Sequence, residues 1–262
     1  MVDGAQRRVL RDGVDGFELV ADLAAISDAP WNEIATHPSG RVYVNGVGFD
    51  MIAGDTPTTG HIAVIDTDGS VRQVADELAF PNGMAIVAAG AQLVVAESHA
   101  GRITSFTIAP DGDLTDRATL AELPGGAPDG LCVTGDGTIW YADVPNRHCR
   151  RIGLDGTVVE TITADRGCFS CTLSPDGDLF ILSGSPPQEM IRISSDSGDV
   201  QSLGRLPESV EGSYTLASAL ADGSVLAERA TWDGGYKVSP VILDPESGEV
   251  SVLTDNGARA VL

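Results

Sequence analysis

Positively charged residues are scarce in this chain of 262 residues. Lysine and arginine total 16 against 38 aspartate and glutamate residues, which leaves a formal net charge of −22 at pH 7. A surface this acidic repels phosphate backbones and anionic lipids, so we expect neither nucleic-acid binding nor docking on a membrane. Such a surface attracts cations. The partner that we expect is a small-molecule substrate, and the sequence leaves the oligomeric state open.

The sequence also lacks a membrane-spanning segment, a signal peptide and a disulfide framework. No apolar run approaches the ~18 residues of a membrane span, and the start MVDGAQRRVLRDG has no apolar signal segment, which favours a cytoplasmic location. Four cysteines, at Cys132, Cys149, Cys168 and Cys171, are too few and too scattered for a disulfide scaffold. Cys168 and Cys171 form a C-x-x-C pair without a second ligand pair, so we interpret the cysteines as buried strand thiols.

Glycine is abundant, with 31 residues, whereas aromatic residues make up only 5% of the chain. This composition favours a β-protein with many tight turns. A turn followed by an alternating strand recurs five times, with turn glycines at Gly40, Gly90, Gly137, Gly177 and Gly223. The intervals of 50, 47, 40 and 46 residues, each holding about four short strands, are typical of the blades of a β-propeller. We therefore predict an all-β fold of four-stranded antiparallel blades.

The repeats define five complete blades, over residues 31–78, 81–124, 128–166, 168–206 and 213–254. The N-terminal segment is typical of the two outer strands of a sixth blade, and the C-terminal ARAVL of a short inner strand. We predict that the two termini share this sixth blade, which closes the ring and removes exposed sheet edges. Its second strand is not evident, so this blade can be incomplete. The whole chain, 1–262, is predicted to be one six-bladed propeller domain.

Polar residues occupy one position in three successive blades, eight residues before the turn glycine. Asn32, Asn82 and Asp129 stand there, and Phe169 and Thr215 follow in the next two blades. Because inner strands line the channel of a propeller, these three oxygen-bearing side chains should converge and suit a divalent cation. The alternative is that Asn and Asp simply form turns before strands, as in P-N-G and P-D-G.

Further candidates flank these positions. Glu97 and Asp143 end the second strands of their blades, and they either orient the three residues or are solvated strand ends. Trp31 precedes Asn32 and either walls a substrate pocket or packs between blades. The four histidines stand at dissimilar positions of the repeats and show no zinc spacing, so we interpret them as surface or loop residues.

Several segments resemble the regucalcin–gluconolactonase family of six-bladed propellers: FPNGMAI, VAES, APDGLCVTGDGTIWYADV and CRRIGLDGTVVETI. WNEIATHPSGRVYVNGVGFDM is similar to another blade of the same family, and the resemblance covers about residues 7 to 184. Members are mostly divalent-metal-dependent lactonases or related ester hydrolases. The resemblance implies that Asn82 and Asp129 hold the ion, that Asn32 lies near the substrate, and that Asp129 is the general base. The shared offset adds Asn32 as a third candidate ligand of the ion.

The chain departs from the family pattern in two places. The family's glutamate ligand lies in an E-G-P-x-W motif of the first blade, which is missing from the front of this chain. Glu211 in VEGSY is the candidate for a permuted counterpart, but it stands twelve residues before its turn glycine instead of eight. A cationic residue that some sugar lactonases place two positions before Asn32 is also absent, which argues against a sugar-acid lactone.

These observations predict a divalent-metal-dependent hydrolase of a lactone or related ester. The metal would polarise the carbonyl and activate water, with Asp129 and Asn32 as catalytic residues and Asn32 and Trp31 at the substrate. Ca²⁺ is the expected ion, and Zn²⁺, Mn²⁺ and Mg²⁺ are alternatives. Two other functions are left open: a non-hydrolytic isomerase, dehydratase or cyclase on the same metal site, and a calcium-binding propeller without catalysis.

Overall fold

The computed structural model describes residues 1–13, 16–51, 53–185, 188–206, 213–220, 222–231, 237–245, 247, 249–253 and 259–261. Within these residues the regular structure consists of β-strands and one short 3₁₀ turn, Ala88–Gly90. Six antiparallel sheets follow one another along the chain as the blades of a six-bladed β-propeller. No helix in the described part is long and apolar enough to cross a membrane.

The strands of each blade are numbered in chain order. Blade 1 contains β1 (Val2–Asp3), β2 (Arg8–Gly13) and β3 (Gly16–Asp22), and blade 2 contains β4 (Trp31–Thr36), β5 (Val42–Gly46), β6 (Gly60–Ile65) and β7 (Val71–Leu78). Blade 3 contains β8 (Pro81–Val87), β9 (Gln92–Glu97), β10 (Arg102–Ile108) and β11 (Leu114–Glu122), and blade 4 contains β12 (Pro128–Val133), β13 (Ile139–Asp143), β14 (His148–Ile152) and β15 (Val158–Thr163). Blade 5 contains β16 (Cys168–Leu173), β17 (Leu179–Ser183), β18 (Glu189–Ile193) and β19 (Val200–Arg205). Blade 6 contains β20 (Ser213–Ala219), β21 (Val225–Thr231), β22 (Lys237–Leu243), β23 (Val250–Leu253) and β24 (Arg259–Val261).

Turn glycines set the blade repeat, as the sequence predicted. Each of the five blades expected between residues 31 and 254 is a separate sheet whose strands pair in chain order. The five turn glycines have positive φ values, from 84° at Gly137 to 97° at Gly90. Residues with a Cβ rarely adopt this conformation, so glycine is the natural choice at these turns.

Among the described residues the two termini do not share a blade, and this part of the prediction is wrong. Blade 1 is incomplete, with three strands from the N-terminal segment alone: Val2 pairs with Val9, and the amide of Leu10 donates to the carbonyl of Met1 at 2.9 Å. The C-terminal strand Arg259–Val261 instead pairs with β23 and extends the outer edge of blade 6. Both pairings are local, so they close shorter loops than a sheet joined from opposite ends of the chain.

The hydrophobic core lies between neighbouring blades. In β9, Leu93 and Val95 pack toward blade 2, whereas the alternate residues Val94 and Ala96 pack toward blade 4. Because second strands are covered on both faces, they are apolar at nearly every position. Among the described residues, five such clusters link each blade to the next, from blade 1 through blade 6.

The four cysteines are thiols of strands, as predicted. Cys149, Cys168 and Cys171 are buried, Cys132 is half-buried, and all four are free. They lie together between blades 4 and 5, where the Sγ atoms of Cys132 and Cys171 are 3.7 Å apart. Burial raises the pKa of the Cys149 thiol well above its usual value, which keeps that thiol protonated.

Two of the four histidines are buried in strands, so their assignment to the surface or to loops is wrong. His61 belongs to β6 and His148 to β14. Burial lowers the pKa of both imidazoles, and the neutral rings pack edge-on against aromatic side chains, with centroids 4.7 Å apart for His61 and Trp31.

Candidate functional site

Bulges at the start of three inner strands position the polar residues. Asn32 and Glu33 of β4 stand opposite a single residue of β5, Asn45, because the strand register shifts there. The same two-against-one irregularity occurs in β8 at Asn82 and in β12 at Asp129. A β-bulge redirects the side chains of its extra residues and is common next to active sites. Asn32, Asn82 and Asp129, here called the oxygen triad, therefore hold equivalent positions in three adjacent blades.

The side chains of the oxygen triad meet at the boundaries between these blades. The amide Nδ2 of Asn32 donates to Oδ1 of Asn82 and to the carbonyl of Pro81, both at 3.3 Å. The Asn82 side chain also lies beside the Asp129 carboxyl group, whose pKa it lowers. All three residues are half-buried. The triad is thus a continuous group of oxygen-bearing side chains and not three separate turns.

Glycines after two of these residues allow neighbouring inner strands to approach each other. A Cβ atom at Gly83 would lie 2.5 Å from the backbone nitrogen of Leu131, and a Cβ at Gly130 would lie 2.9 Å from Cα of Ser170. Neither glycine has a positive φ. The P-N-G and P-D-G segments are therefore sites of close backbone approach, and the alternative that they are turns before strands is wrong.

The carboxyl group of Asp129 is held in an environment that disfavours its charge. Burial raises the pKa of Asp129 to about 7, although a hydrogen bond from Asn82 acts in the opposite direction. Among the described residues, no arginine, lysine or histidine forms an ion pair with Asp129. A bound cation would supply the missing positive charge.

Two residues that the sequence did not single out support the triad. Asn45 is fully buried, and its Nδ2 donates to the backbone carbonyl of Asn82 at 2.6 Å while its Oδ1 accepts from the amide of Glu33 at 3.2 Å. Ser98 Oγ donates to the carbonyl of Pro128 at 2.6 Å. Both residues tie one blade to the next. In the sequence, Asn45 could have been found as the single amide side chain in the otherwise apolar strand VYVNG.

Glu97 is fully buried, so it is not a solvated strand end. Arg102 Nη2 lies 2.9 Å from one of its oxygens and Arg117 Nη2 lies 3.2 Å from the other. Burial alone would raise the pKa of Glu97, but hydrogen bonds from Arg102, the backbone of Ala79 and the Thr104 hydroxyl outweigh it and lower the pKa. By binding the Ala79 amide at 2.8 Å, Glu97 fixes the loop that leads into β8.

Asp143 ends the second strand of blade 4, as Glu97 ends the second strand of blade 3. It is buried, and its Oδ1 accepts from the backbone amide of Ala127 at 3.3 Å, just before β12 begins. Asn146 adds a side-chain hydrogen bond at 3.1 Å. Glu97 and Asp143 therefore hold, through backbone hydrogen bonds, the strands that carry Asn82 and Asp129. This position agrees with the orienting role and not with a solvated strand end.

Among the described residues of blades 5 and 6, neither inner strand has an asparagine or aspartate in an equivalent bulge. Phe169 occupies the bulge of β16, and the adjacent Ser170 binds the backbone of Leu216 in β20. The irregularity of β20 lies elsewhere, after Leu216, so Thr215 is not in an equivalent bulge. Glu211 lies outside the described residues.

Asn32 lies at the edge of a cavity of about 550 Å³. Trp31 also lines this cavity, and its ring is buried in the core cluster between blades 1 and 2. Trp31 therefore packs between blades, as one of the two expectations has it, and it also lines this cavity; its place at a substrate stays a prediction. A second cavity of about 460 Å³ follows the channel past Gly83 and Gly130.

The chemistry of the triad suits a hard divalent cation. Ca²⁺ and Mg²⁺ prefer carboxylate, amide and water oxygens, and the triad offers one carboxylate and two amides. Zinc sites use mainly thiolates and imidazoles, and the triad has neither. Among the described residues, no group of three or more His, Cys, Asp or Glu side chains that could hold any metal is found. By ligand type, the carboxylate and amide oxygens of the triad therefore fit Ca²⁺ better than Zn²⁺.

The family comparison covers the part of the chain that carries the triad. Residues 6–185 match the family model described as SMP-30/Gluconolactonase/LRE-like region. This range includes all three triad residues and the supporting Asn45 and Ser98.

Individual relatives match a shorter part of the chain. Pentonolactonase XacC of Haloferax volcanii is 29% identical over 141 residues, which are 52% of this chain and 46% of the relative. Diisopropyl-fluorophosphatase of Loligo vulgaris is 29% identical over 161 residues, 59% of this chain and 50% of the relative. The chain thus spans about half the length of the relatives it matches. A calcium-binding protein, regucalcin, of Agrobacterium tumefaciens superposes with a TM-score of 0.56 at 20% identity, over 68% of this chain and 65% of that protein, which shows the shared fold.

Proposed function

Because the chain belongs to the SMP-30/gluconolactonase/LRE-like family, we propose that it is a divalent-cation-dependent hydrolase that cleaves a lactone or a related carboxylic ester. The observation that carries the proposal is the contact among Asn32, Asn82 and Asp129 beside a cavity of about 550 Å³. The match to a pentonolactonase supports a lactone as the substrate.

The cation would be held by the oxygens of Asn32, Asn82 and Asp129, and Ca²⁺ is the ion that this donor set favours. When bound, a divalent cation polarises the ester carbonyl and lowers the pKa of water. The regucalcin with the same fold is a calcium-binding protein, which supports this choice of ion.

Asp129 is proposed as the group that moves the proton. Its carboxylate takes a proton from the attacking water, whose oxygen forms the new bond to the carbonyl carbon. The C–O bond of the ester then breaks, and the leaving alkoxide takes the proton from Asp129. Burial raises the pKa of Asp129 to about 7 in the cation-free protein, and a bound cation would lower that pKa, so the carboxylate is the form that accepts the proton.

Asn32 would orient the substrate, because it belongs to the triad and also lines the cavity. Trp31 would form part of the wall beside it. Asn45 and Ser98 would act indirectly, by holding the backbones of Asn82 and Pro128 in place.

The test is hydrolysis of a panel of lactones and esters with Ca²⁺, Mn²⁺ or Zn²⁺, with and without chelator, by the native protein, Asp129→Asn and Asn82→Ala. We expect chelator to abolish hydrolysis, Ca²⁺ to restore it, and Asp129→Asn to lower kcat by about 10²–10⁴-fold. Asp176→Asn, which alters an exposed carboxylate in a turn of blade 5, is the matched control. Hydrolysis that survives both chelator and Asp129→Asn would overturn the proposal.

Two outcomes would point to the other functions. Turnover in ¹⁸O-labelled water without incorporation of the label indicates an isomerase, dehydratase or cyclase. A rise in melting temperature with Ca²⁺ but no turnover indicates a calcium-binding propeller without catalysis.

A further inference from the structure

The cavity beside Asn32 has a wall of aromatic side chains from two blades. Phe49 follows β5 and Phe80 precedes β8, and their ring centroids lie 5.8 Å apart. His99 packs against both rings, with its centroid 4.5 Å from that of Phe80 and 6.4 Å from that of Phe49. Phe49 is buried, whereas Phe80 is half-buried and so leaves part of its surface open. Val47 and Met51 add further apolar surface to the same cavity.

Phe80 has a backbone conformation that a bulky residue rarely adopts. Its φ is 58°, in the left-handed region that favours glycine and asparagine. Backbone hydrogen bonds hold it there: its amide donates to the carbonyl of Leu78, and its carbonyl accepts from the amide of Ser98, both at 3.1 Å. Strain of this kind, kept in a wall of a cavity two residues from Asn82, is typical of functional sites.

The charged side chains at the rim of this cavity make bonds within the protein, although two buried donors among the lining residues, Nε of Arg7 and Nε1 of Trp31, have no hydrogen-bond partner. Nη1 of Arg7 donates to the backbone carbonyl of Asp28 at 3.1 Å and lies 3.7 Å from its carboxylate. The Oδ1 atom of Asp50 accepts from the amide of Ala53 at 2.9 Å. A substrate rich in hydroxyl groups would bury several of them against Phe49 and Phe80 without partners, which is costly.

We infer that the lactone or ester carries an apolar alkyl or aryl substituent, which packs against Phe49 and Phe80 while its carbonyl lies at the oxygen triad. This inference rests on the proposed function for the position of the carbonyl. The cavity volume of about 550 Å³ is in the range of small-molecule sites. Phe80 is then a specificity-determining residue, and its strained backbone couples the apolar wall to Asn82.

Binding tests the inference independently of catalysis. The probe is the butyl-substituted δ-lactam, a stable analogue of δ-nonalactone, measured by calorimetry in the presence of Ca²⁺. Phe80→Gly removes the ring and suits the positive φ, so the variant keeps the backbone before Asn82. We expect it to weaken lactam binding by about tenfold, because it removes the exposed apolar face. Phe49→Ala should act in the same direction.

Phe106→Leu is the matched control, since it removes an aromatic ring from the core of blade 3 without touching the cavity. It should leave lactam binding within about twofold of the native value. Lactam binding that Phe80→Gly and Phe49→Ala both leave unchanged would overturn the inference, as would an absence of binding to the native protein.

Hydrolysis of three lactones that share a six-membered ring separates this inference from the proposed function. We expect kcat/KM to be highest for δ-nonalactone, lower for δ-valerolactone and lowest for glucono-δ-lactone, with the preference for the butyl group reduced in Phe80→Gly mainly through KM. A preference for glucono-δ-lactone overturns the inference but leaves a lactonase. If the protein binds the lactam in a way that depends on Phe80 and Phe49 but hydrolyses no lactone or ester, the apolar subsite is supported and the proposed function is overturned.

Discussion

Gly83 lies so close to Asp129 that a Cβ atom at position 83 would stand 2.5 Å from the Asp129 carbonyl oxygen. The two residues belong to the inner strands of adjacent blades, β8 and β12. The spacing between the strands that carry the oxygen triad is therefore set by the absence of a side chain. This contact makes the glycine of P-N-G as important for the site as the asparagine before it.

Gly83→Ala should push β8 and β12 apart. We expect a loss of about 1–3 kcal/mol in the free energy of unfolding from overpacking, together with weaker Ca²⁺ binding, measured by urea unfolding and calorimetry. Gly135→Ala is the matched control, because a Cβ there meets nothing within 4 Å and the φ is not positive. Equal stability of the two variants would contradict the close approach.

Asp129 should make the cation-free protein less stable as pH rises. Its pKa is about 7 in the folded chain and about 4 when unfolded, so between these values the folded state holds a proton that the unfolded state has released. The free energy of unfolding then falls as pH increases.

Asp129→Asn isolates this effect, because it removes the titrating group and leaves the other acids unchanged. The stability of the native protein minus that of the variant should drop by about 2–3 kcal/mol between pH 4.5 and 7.5, as measured by urea unfolding without divalent cations. Saturating Ca²⁺ should reduce the drop, since it favours the ionised carboxylate. A difference that rises with pH would show that Asp129 is stabilised as a carboxylate.

Asn45→Ala should destabilise the boundary between blades 2 and 3. It leaves the backbone carbonyl of Asn82 and the amide of Glu33 without the bonds that Asn45 makes to them, which should cost about 2–3 kcal/mol. Asn146→Ala, at an exposed position with one side-chain bond to Asp143, should cost less than about 1 kcal/mol in the same urea experiment. If both variants cost the same, Asn45 does not join the blades.

Glu97→Gln should leave Arg102 and Arg117 without their buried counter-charge. Both guanidinium groups are about one-third exposed (30% and 33%), so we expect a loss of about 2–3 kcal/mol, less than for a fully buried pair. Because the pKa of Glu97 is lowered on folding, this stabilisation is present at neutral pH and is lost as pH falls through that pKa. Glu160→Gln, in an exposed pair with Arg151, should change stability by less than about 0.5 kcal/mol. Acid unfolding curves of the two variants and the native protein check both statements.

The blade repeat and the position of the oxygen triad could be predicted from the sequence because both depend on local structure. Gly40, Gly90 and the equivalent glycines mark hairpin turns with positive φ, and counting back from them locates the inner strand. Asn32, Asn82 and Asp129 share an offset, and a repeated fold places equal offsets at equal radii.

Tertiary structure decided what depends on residues far apart in the chain. The bond from Asn45 to Asn82, the closeness of Gly83 to Asp129 and the pKa of Asp129 arise where two blades meet, and no spacing within one blade encodes them. The strands of blade 1 and the attachment of β24 to β23 depend on which pairing closes the shorter loop. The wall of Phe49 and Phe80 joins loops of two blades, and only their packing turns separate aromatic residues into one surface.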